Sequence, residues 1–367
     1  MNMGFDVSSF KQTLESWVNF ETPTGDEKRL TAFSSLVLRA LENDGAEIQS
    51  YHLSGGPLLH AVFGKGEKRC VLMGHMDTVF PLGEAERYDE ENGKLYGAGV
   101  LDMKSGLLML TYAFNHISKI LPAGWKIEAL INSDEERGSV DSREKISEIL
   151  AGAHLVFSFE GNRENCLTVS RKGILTFEIV SKGIAAHTSG GADKHKNAIY
   201  HLVKAVNSVY DLDLPKGISL NIGVIEGGKA TNIVADRAKI KGEIRAETLE
   251  DIFMFEKEIE KISREHALGY ARLTLRPPMP PNEKTMHLFR IVSQIDPNLR
   301  PRAAGGGGDA AFAYLAGAYV LDGLGAEGAN AHTRREYVKE ESVLKRWNLS
   351  LKAIERCMEE IGREVKK

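Results

Sequence analysis

Met73-Gly74-His75-Met76-Asp77-Thr78-Val79-Phe80-Pro81 is the stretch on which the reading of this chain turns. An apolar run, Cys70 to Met73, leads into it and ends on Gly74, the pattern of a buried strand that stops. If the chain is still extended at His75, Asp77 lies on the same side of it. The aspartate can then hold the far ring nitrogen of the histidine and fix its tautomer, which metal-bound histidines usually require. A His near an Asp is common in loops. The pattern gains weight from four further ligand candidates downstream, each expected at the end of a strand-like run.

Strand and helix alternate around this stretch. Helices are expected over residues 8–19 and 27–44, the second capped by Gly45. Strands follow near 47–52, 59–64 and 70–73. The segment Leu95-Tyr96-Gly97-Ala98-Gly99-Val100-Leu101-Asp102-Met103-Lys104-Ser105-Gly106 leads into an apolar helix over 107–120. A buried strand over 126–131 ends at Asp134-Glu135-Glu136, a helix reaches Leu150, and a strand over 154–159 ends at Glu160. This order predicts an α/β fold, with a mixed, largely parallel sheet covered by helices on both faces. Ligands bind such sheets beyond the carboxyl ends of the strands.

From residue 171 the pattern changes to strand 175–182, helix 197–212, strands 219–226 and 232–246, helix 249–268 and strand 271–276. That β-α-β-β-α-β order predicts an inserted ferredoxin-like α+β lid over 171–279. The proline-dense Pro277-Pro278-Met279-Pro280-Pro281 reads as the return to the first domain, expected over 1–170 and 280–367.

The 367 residues are 42% hydrophobic and 27% charged, with a net charge of -4 spread along the chain. That balance gives no basic patch for nucleic acid or an anionic membrane, and no run has the length of a membrane span. Cys70, Cys166 and Cys357 are too few and too scattered for a disulfide framework or a thiolate zinc site. No apolar leader stands at the start, and a cytoplasmic location is expected.

His75, Asp102, the pair Glu135-Glu136, Glu160 and His332 are the ligand candidates. Carboxylates crowded into one crevice raise one another's pKa unless a cation lies between them. Two histidines with three carboxylates suit zinc, with cobalt or manganese as substitutes. Five ligands exceed one tetrahedral site with an open position, and suit two metals about 3.5–4 Å apart that share a carboxylate. In the pair Glu135-Glu136, one carboxylate can bind metal while its neighbour takes a proton from water. There is no H-E-x-x-H or G-x-S-x-G, and the run Gly305-Gly306-Gly307-Gly308 lacks the Lys-Ser or Lys-Thr of a phosphate loop.

With Gly74-His75-Met76-Asp77-Thr78-Val79, Asp134-Glu135-Glu136, Phe159-Glu160-Gly161, Gly328-Ala329-Asn330-Ala331-His332 and the segment from Gly97 to Gly106 in place, the chain resembles a co-catalytic zinc metallopeptidase family. That family contains bacterial glutamate carboxypeptidase, aminoacylase, acetylornithine deacetylase and succinyl-diaminopimelate desuccinylase. The resemblance covers nearly the whole chain. It implies two zinc ions per chain bridged by Asp102, with His75 and Glu160 on one and Glu136 and His332 on the other. It implies Glu135 as general base, Asp77 as the residue that orients His75, and a cis peptide after Asp102. His187 would reach the active site of a partner subunit in a homodimer formed through the lid. Asn232, Arg245 and the backbone near Gly306 would hold a substrate carboxylate. Gly308 stands where the family usually has a hydroxyl residue, and the segment after His187 also differs.

The expected activity is cleavage of a peptide or N-acyl amide bond beside a free α-carboxylate. Leu321-Asp322-Gly323-Leu324-Gly325 and Glu336-Tyr337-Val338 look most like the glutamate carboxypeptidase branch, with an N-acyl amino acid deacylase or desuccinylase as alternative. A non-catalytic binding protein on the same fold would be free to lose Glu135 or a ligand, and this chain has them all.

Overall fold

A computed structural model of the chain describes residues 5–41 and 43–364. Two compact units make it up. One comprises the described residues up to Ser170, Pro281–Ala304 and those from Gly308 onward; the other comprises Arg171–Pro280 with Gly305–Gly307.

The chain opens with helices α1 (Val7–Val18) and α2 (Glu27–Leu41). Strands β1 (Glu47–Leu53), β2 (Gly56–Phe63), β3 (Lys68–His75), β4 (Asp89–Glu91) and β5 (Lys94–Tyr96) follow. Then come α3 (Ser105–Lys119), β6 (Trp125–Asn132), α4 (Arg143–Leu150), β7 (Leu155–Ser158) and β8 (Cys166–Arg171). The second unit runs β9 (Gly173–Lys182), α5 (Ala198–Tyr210), β10 (Ser219–Gly227), β11 (Arg237–Ala246), α6 (Leu249–Glu265) and β12 (Gly269–Arg276). The return adds α7 (Glu283–Ser293), β13 (Arg300–Ala304), α8 (Ala310–Leu315) and β14 (Tyr319–Asp322). Two short strands, β15 (Gly328–Ala329) and β16 (Tyr337–Lys339), precede the long helix α9 (Glu340–Glu364).

The large sheet of the first unit has the order β1-β2-β6-β3-β7-β14-β8-β13. Its centre, β6-β3-β7-β14, is parallel, and β1, β2 and β8 add antiparallel pairs. The mixed, largely parallel sheet read from the strand–helix alternation is therefore present. Cys70, Val71 and Leu72 are wholly buried, as a parallel strand covered on both faces must be. In the segment before Asp102, expected to end a strand-like run there, only β5 is a strand. That piece belongs to a separate small sheet, β15-β16-β5-β4.

In the second unit β9 and β11 alternate buried and less buried residues, the mark of a sheet with one covered face. The four strands are antiparallel in the order β10-β11-β9-β12, the ferredoxin-like arrangement. β11 starts at Arg237 rather than at residue 232. The backbone of the five residues before it is used elsewhere: Val234 donates to the Ala186 carbonyl, Ala198 donates to that of Ala235, and Ile233 bridges to His187.

Candidate active site

His75 is the last residue of β3, and its ring is 1% exposed. Nδ1 lies 3.0 Å from the carbonyl oxygen and 3.3 Å from Oδ1 of Asp77. Both are acceptors, so Nδ1 carries a proton and the neutral ring has its lone pair on Nε2. Asp77 is fully buried and does more than face the histidine. It accepts the amide protons of Glu135 and Glu136, each at 3.1 Å, and the hydroxyl of Thr24 at 2.8 Å. One aspartate thus fixes the ring of His75 and the turn that carries the paired glutamates.

Asp102 does not end a strand of the large sheet. It sits in a wide turn, Val100–Lys104, entered from Gly99 at φ 73°. Asp102 (φ -120°, ψ 88°) and Met103 (φ -134°, ψ 36°) interrupt the helical path, with a cis peptide between them. The apolar residues around it are buried in a turn, not in the strand-like run expected to end at Asp102. Glycine permits the close packing that brings this turn to the end of β7. A Cβ on Gly106 would stand 1.9 Å from the Phe159 carbonyl oxygen, and one on Gly161 would stand 2.4 Å from that of Leu101.

The two oxygens of Asp102 face different partners. Oδ1 is 3.1 Å from Nε2 of His75, which also lies 3.7 Å from Oε1 of Glu160. Oδ2 is 3.0 Å from Nε2 of His332, which also lies 3.2 Å from Oε2 of Glu136. All five expected ligands therefore converge. Donor atoms of His75, Asp102 and Glu136 lie within 4.8 Å of one another. Glu135 is 5% exposed, in the turn Glu135–Arg137 anchored on Asp77.

The charges in this cluster show what would fit it. Burial, and then the charge of Asp102, push Glu136 up to about 8. Burial pushes Asp102 up as well, but hydrogen bonds from His332 and His75 outweigh it and hold Asp102 far below the usual carboxylate range. Hydrogen bonds to Asp102 and then to Glu136 raise His332 to about 11. Oε1 of Glu136 is buried without a hydrogen-bond partner. A divalent cation among these atoms would ionise Glu136, engage its unpartnered oxygen and displace the imidazole protons. Imidazole and carboxylate donors with one orphaned buried oxygen fit a zinc-type cation.

The remaining expected residues lie in the second unit. His187 is exposed and bridges to Ile233; Nδ1 accepts the Ser189 amide proton at 3.1 Å and lies 2.7 Å from the Ser189 hydroxyl, which can donate to it as well. Asn232 is exposed. The Arg245 guanidinium grips Glu243 on two sides, Nε to Oε1 at 2.7 Å and Nη2 to Oε2 at 3.2 Å, while Nη1 donates to the Gly305 carbonyl at 3.1 Å. Of its five N–H donors, one on Nη1 and one on Nη2 are not engaged by these three bonds. A side chain at Gly305 or Gly306 would meet nothing within 4 Å, so that backbone is open to a ligand.

The sequence reading missed Thr24, Glu243 and Glu336. Thr24 carried no signal beyond lying in the loop after α1. Glu243 could have been found two residues before Arg245, on the same face of the strand. Glu336 accepts amide protons of the Asp102 turn from 234 residues away.

Residues 169–271 match the M20 peptidase dimerisation domain. Carboxypeptidase G2 of Pseudomonas sp. (strain RS-16) is 27% identical over 364 residues, 94% of this chain and 88% of that protein. A succinyl-diaminopimelate desuccinylase of Rickettsia bellii (strain RML369-C) is 24% identical over 77% of this chain and 79% of its own. Among solved structures, a tripeptidase from Staphylococcus aureus superposes with a TM-score of 0.78 at 21% identity, covering 95% of this chain and 98% of that one. An M20 family metallo-carboxypeptidase from Sulfolobus solfataricus gives 0.77 at 16% identity, covering 96% and 99%. At these identities the two structures speak for the fold.

Proposed function

Starting from a metal-dependent hydrolase homologous to carboxypeptidase G2 and succinyl-diaminopimelate desuccinylase, with an M20 peptidase dimerisation domain, we propose that it cleaves a peptide or N-acyl amide bond beside a free α-carboxylate. The observation that carries the reading is Asp102, whose two oxygens each face a different imidazole with a glutamate beside it. Two zinc ions, or cobalt or manganese in their place, would be held with Asp102 shared: His75 and Glu160 on one side, Glu136 and His332 on the other. Such cations supply Lewis acidity, polarising the scissile carbonyl and making water a nucleophile at neutral pH.

The chain's own residues do the rest. Glu135 takes the proton of the attacking water and hands it to the leaving nitrogen. Asp77 keeps His75 in the tautomer that presents Nε2, and holds the Glu135–Glu136 turn by its amides. The Ser189 amide occupies Nδ1 of His187, so the neutral ring carries its proton on Nε2, the donor that an oxyanion needs. Arg245 offers two N–H groups to the substrate carboxylate, with Asn232 and the backbone at Gly306 beside it in role.

His187 serves the site of a partner subunit in a homodimer formed through the second unit. Support comes from the match to a dimerisation domain and from apolar surface on that unit. β10 is an edge strand with Val224 and Ile225 exposed, and α5 exposes Ile199 and Val203.

Carboxypeptidase G2, a relative matched over most of both chains, favours a carboxypeptidase, and the resemblance of Leu321-Asp322-Gly323-Leu324-Gly325 and Glu336-Tyr337-Val338 to the glutamate carboxypeptidase branch favours a C-terminal glutamate. Homology to the desuccinylases supports the second reading, deacylation of an N-acyl amino acid. The test is a panel of N-acyl amino acids and dipeptides, each as free acid and as amide, with added zinc, cobalt or manganese. Turnover of the free acids well above that of the amides is expected. Equal turnover of the amides would refute a carboxylate-directed site.

A further inference from the structure

Glu336 is a buried carboxylate of the first unit that the proposed roles leave unused. Glu336 follows His332 by four residues, immediately precedes β16, and is 1% exposed. Its Oε1 accepts the amide protons of Leu101 at 2.7 Å and Asp102 at 2.9 Å, and its Oε2 accepts that of Gly99 at 3.0 Å. The Glu336 carbonyl also accepts from the Gly97 amide at 3.4 Å. Every one of these donors belongs to the segment that presents Asp102.

Backbone N–H groups aimed at a common point make a nest for an anion. Here the chain supplies that anion itself. The turn's own bonds, Val100 to the Gly97 carbonyl and Lys104 to the Gly99 carbonyl, leave the amides of Gly99, Leu101 and Asp102 to Glu336. The φ and ψ of Asp102 and Met103 are not helical, so the start of α3 does not hold them.

We infer that Glu336 is a positioning residue for the cation cluster: by gathering three amides of the Asp102 turn on one buried carboxylate, it sets where the Asp102 oxygens stand between His75 and His332. Because Glu336 lies four residues after His332, the same anchor joins the segments that carry two of the ligands. The inference rests on the reading of Asp102 as a cation ligand. The rival role is a staple that only keeps β16 against β5. Val338, wholly buried and paired with Leu95 of β5, allows that role to be perturbed without touching the carboxylate.

The experiment is a titration of metal-stripped protein with Co2+, read from the visible absorption of the bound ion and from competition with a chelator. Glu336→Gln keeps the volume but turns an NH2 group toward one of the three amides. Loss of a partner that orients a ligand typically weakens metal binding 10–100-fold, and a weakening of about that size is expected, with the same number of ions at saturation. Val338→Ala should lower Tm and leave the affinity as in wild type. Glu336→Asp, one methylene short of the nest, should bind between wild type and Glu336→Gln, and it decides the matter if Glu336→Gln does not fold. Wild-type affinity in Glu336→Gln or Glu336→Asp overturns the inference, as does equal weakening in Val338→Ala. A wild-type chain that takes up no Co2+ overturns the ligand reading underneath it.

Discussion

His75 in the first unit and His187 in the second each bond through Nδ1 to the residue two places on, and those bonds have opposite consequences. Asp77 offers His75 only acceptors, so its Nδ1 is protonated and Nε2 keeps the lone pair that a cation can take. Ser189 offers His187 a backbone N–H, so its Nδ1 accepts and Nε2 of the neutral ring becomes a donor. The first ring is buried among carboxylates and the second is exposed. A sequence motif of His followed by a polar residue two positions later therefore specifies either a ligand or a hydrogen-bond donor. Which one depends on whether the neighbour gives or takes a proton.

The contrast extends to the groups around each histidine. In the first unit Asp77 and Asp102 each bond to several partners, so the site is set before any substrate arrives. In the second unit, Arg245 is oriented by Glu243 and Gly305 but keeps two donors for a partner. Variants in the first unit should therefore lose metal or chemistry within their own chain. Variants in the second should keep the metals and lose substrate handling, or be rescued by another subunit.

The largest effect is expected at the paired glutamates. Glu135→Gln should lose about 10²–10⁴ in turnover and keep its metal, as removal of a general base does. Glu136→Gln should lose metal. Elemental analysis of both variants checks the assignment, and equal metal loss in the two would reverse or erase it.

Next comes the rescue that separates the two histidine-bearing regions. His187→Ala and Glu135→Gln, each inactive alone, are mixed and allowed to exchange subunits. A mixed dimer collects both lesions in one site and neither in the other. Random reassortment makes about half the dimers mixed, so activity should return to roughly a quarter of wild type. Activity that stays at the parents' background after proven exchange would place His187 in its own chain's site.

The smallest effect is expected at Arg245. Arg245→Ala should raise KM or lower kcat/KM by about 2–3 kcal/mol, the cost of a hydrogen-bonded charge, with metal content unchanged. The loss should vanish for amidated substrates. A variant that loses as much on amides as on acids would make Arg245 a structural partner of Glu243.

Four of the five proposed ligands were legible as candidates because each follows a feature with a local signature. An apolar run ends before His75, paired carboxylates follow β6, Glu160 follows β7, and a glycine-bounded segment precedes His332. Asp102 was named as a candidate but expected at a strand end, whereas it lies in a turn. Val100 and Leu101 are as apolar as a buried strand, and the feature that bends them, three amides drawn to Glu336, comes from far along the chain. Thr24 was hidden for the same reason, since its partner Asp77 lies 53 residues away. In the second unit the alternation of β11 was read too early. The residues before it are also apolar, but their amides and carbonyls are taken by the loop that carries His187.

The central claim is that Asp102 is shared by two cations, and counting them tests it most directly. Elemental analysis of active, metal-replete protein freed of loosely bound ions should find two divalent ions per chain, with turnover abolished when both are removed by a chelator. One ion per chain, or none, in protein that is fully active would contradict it.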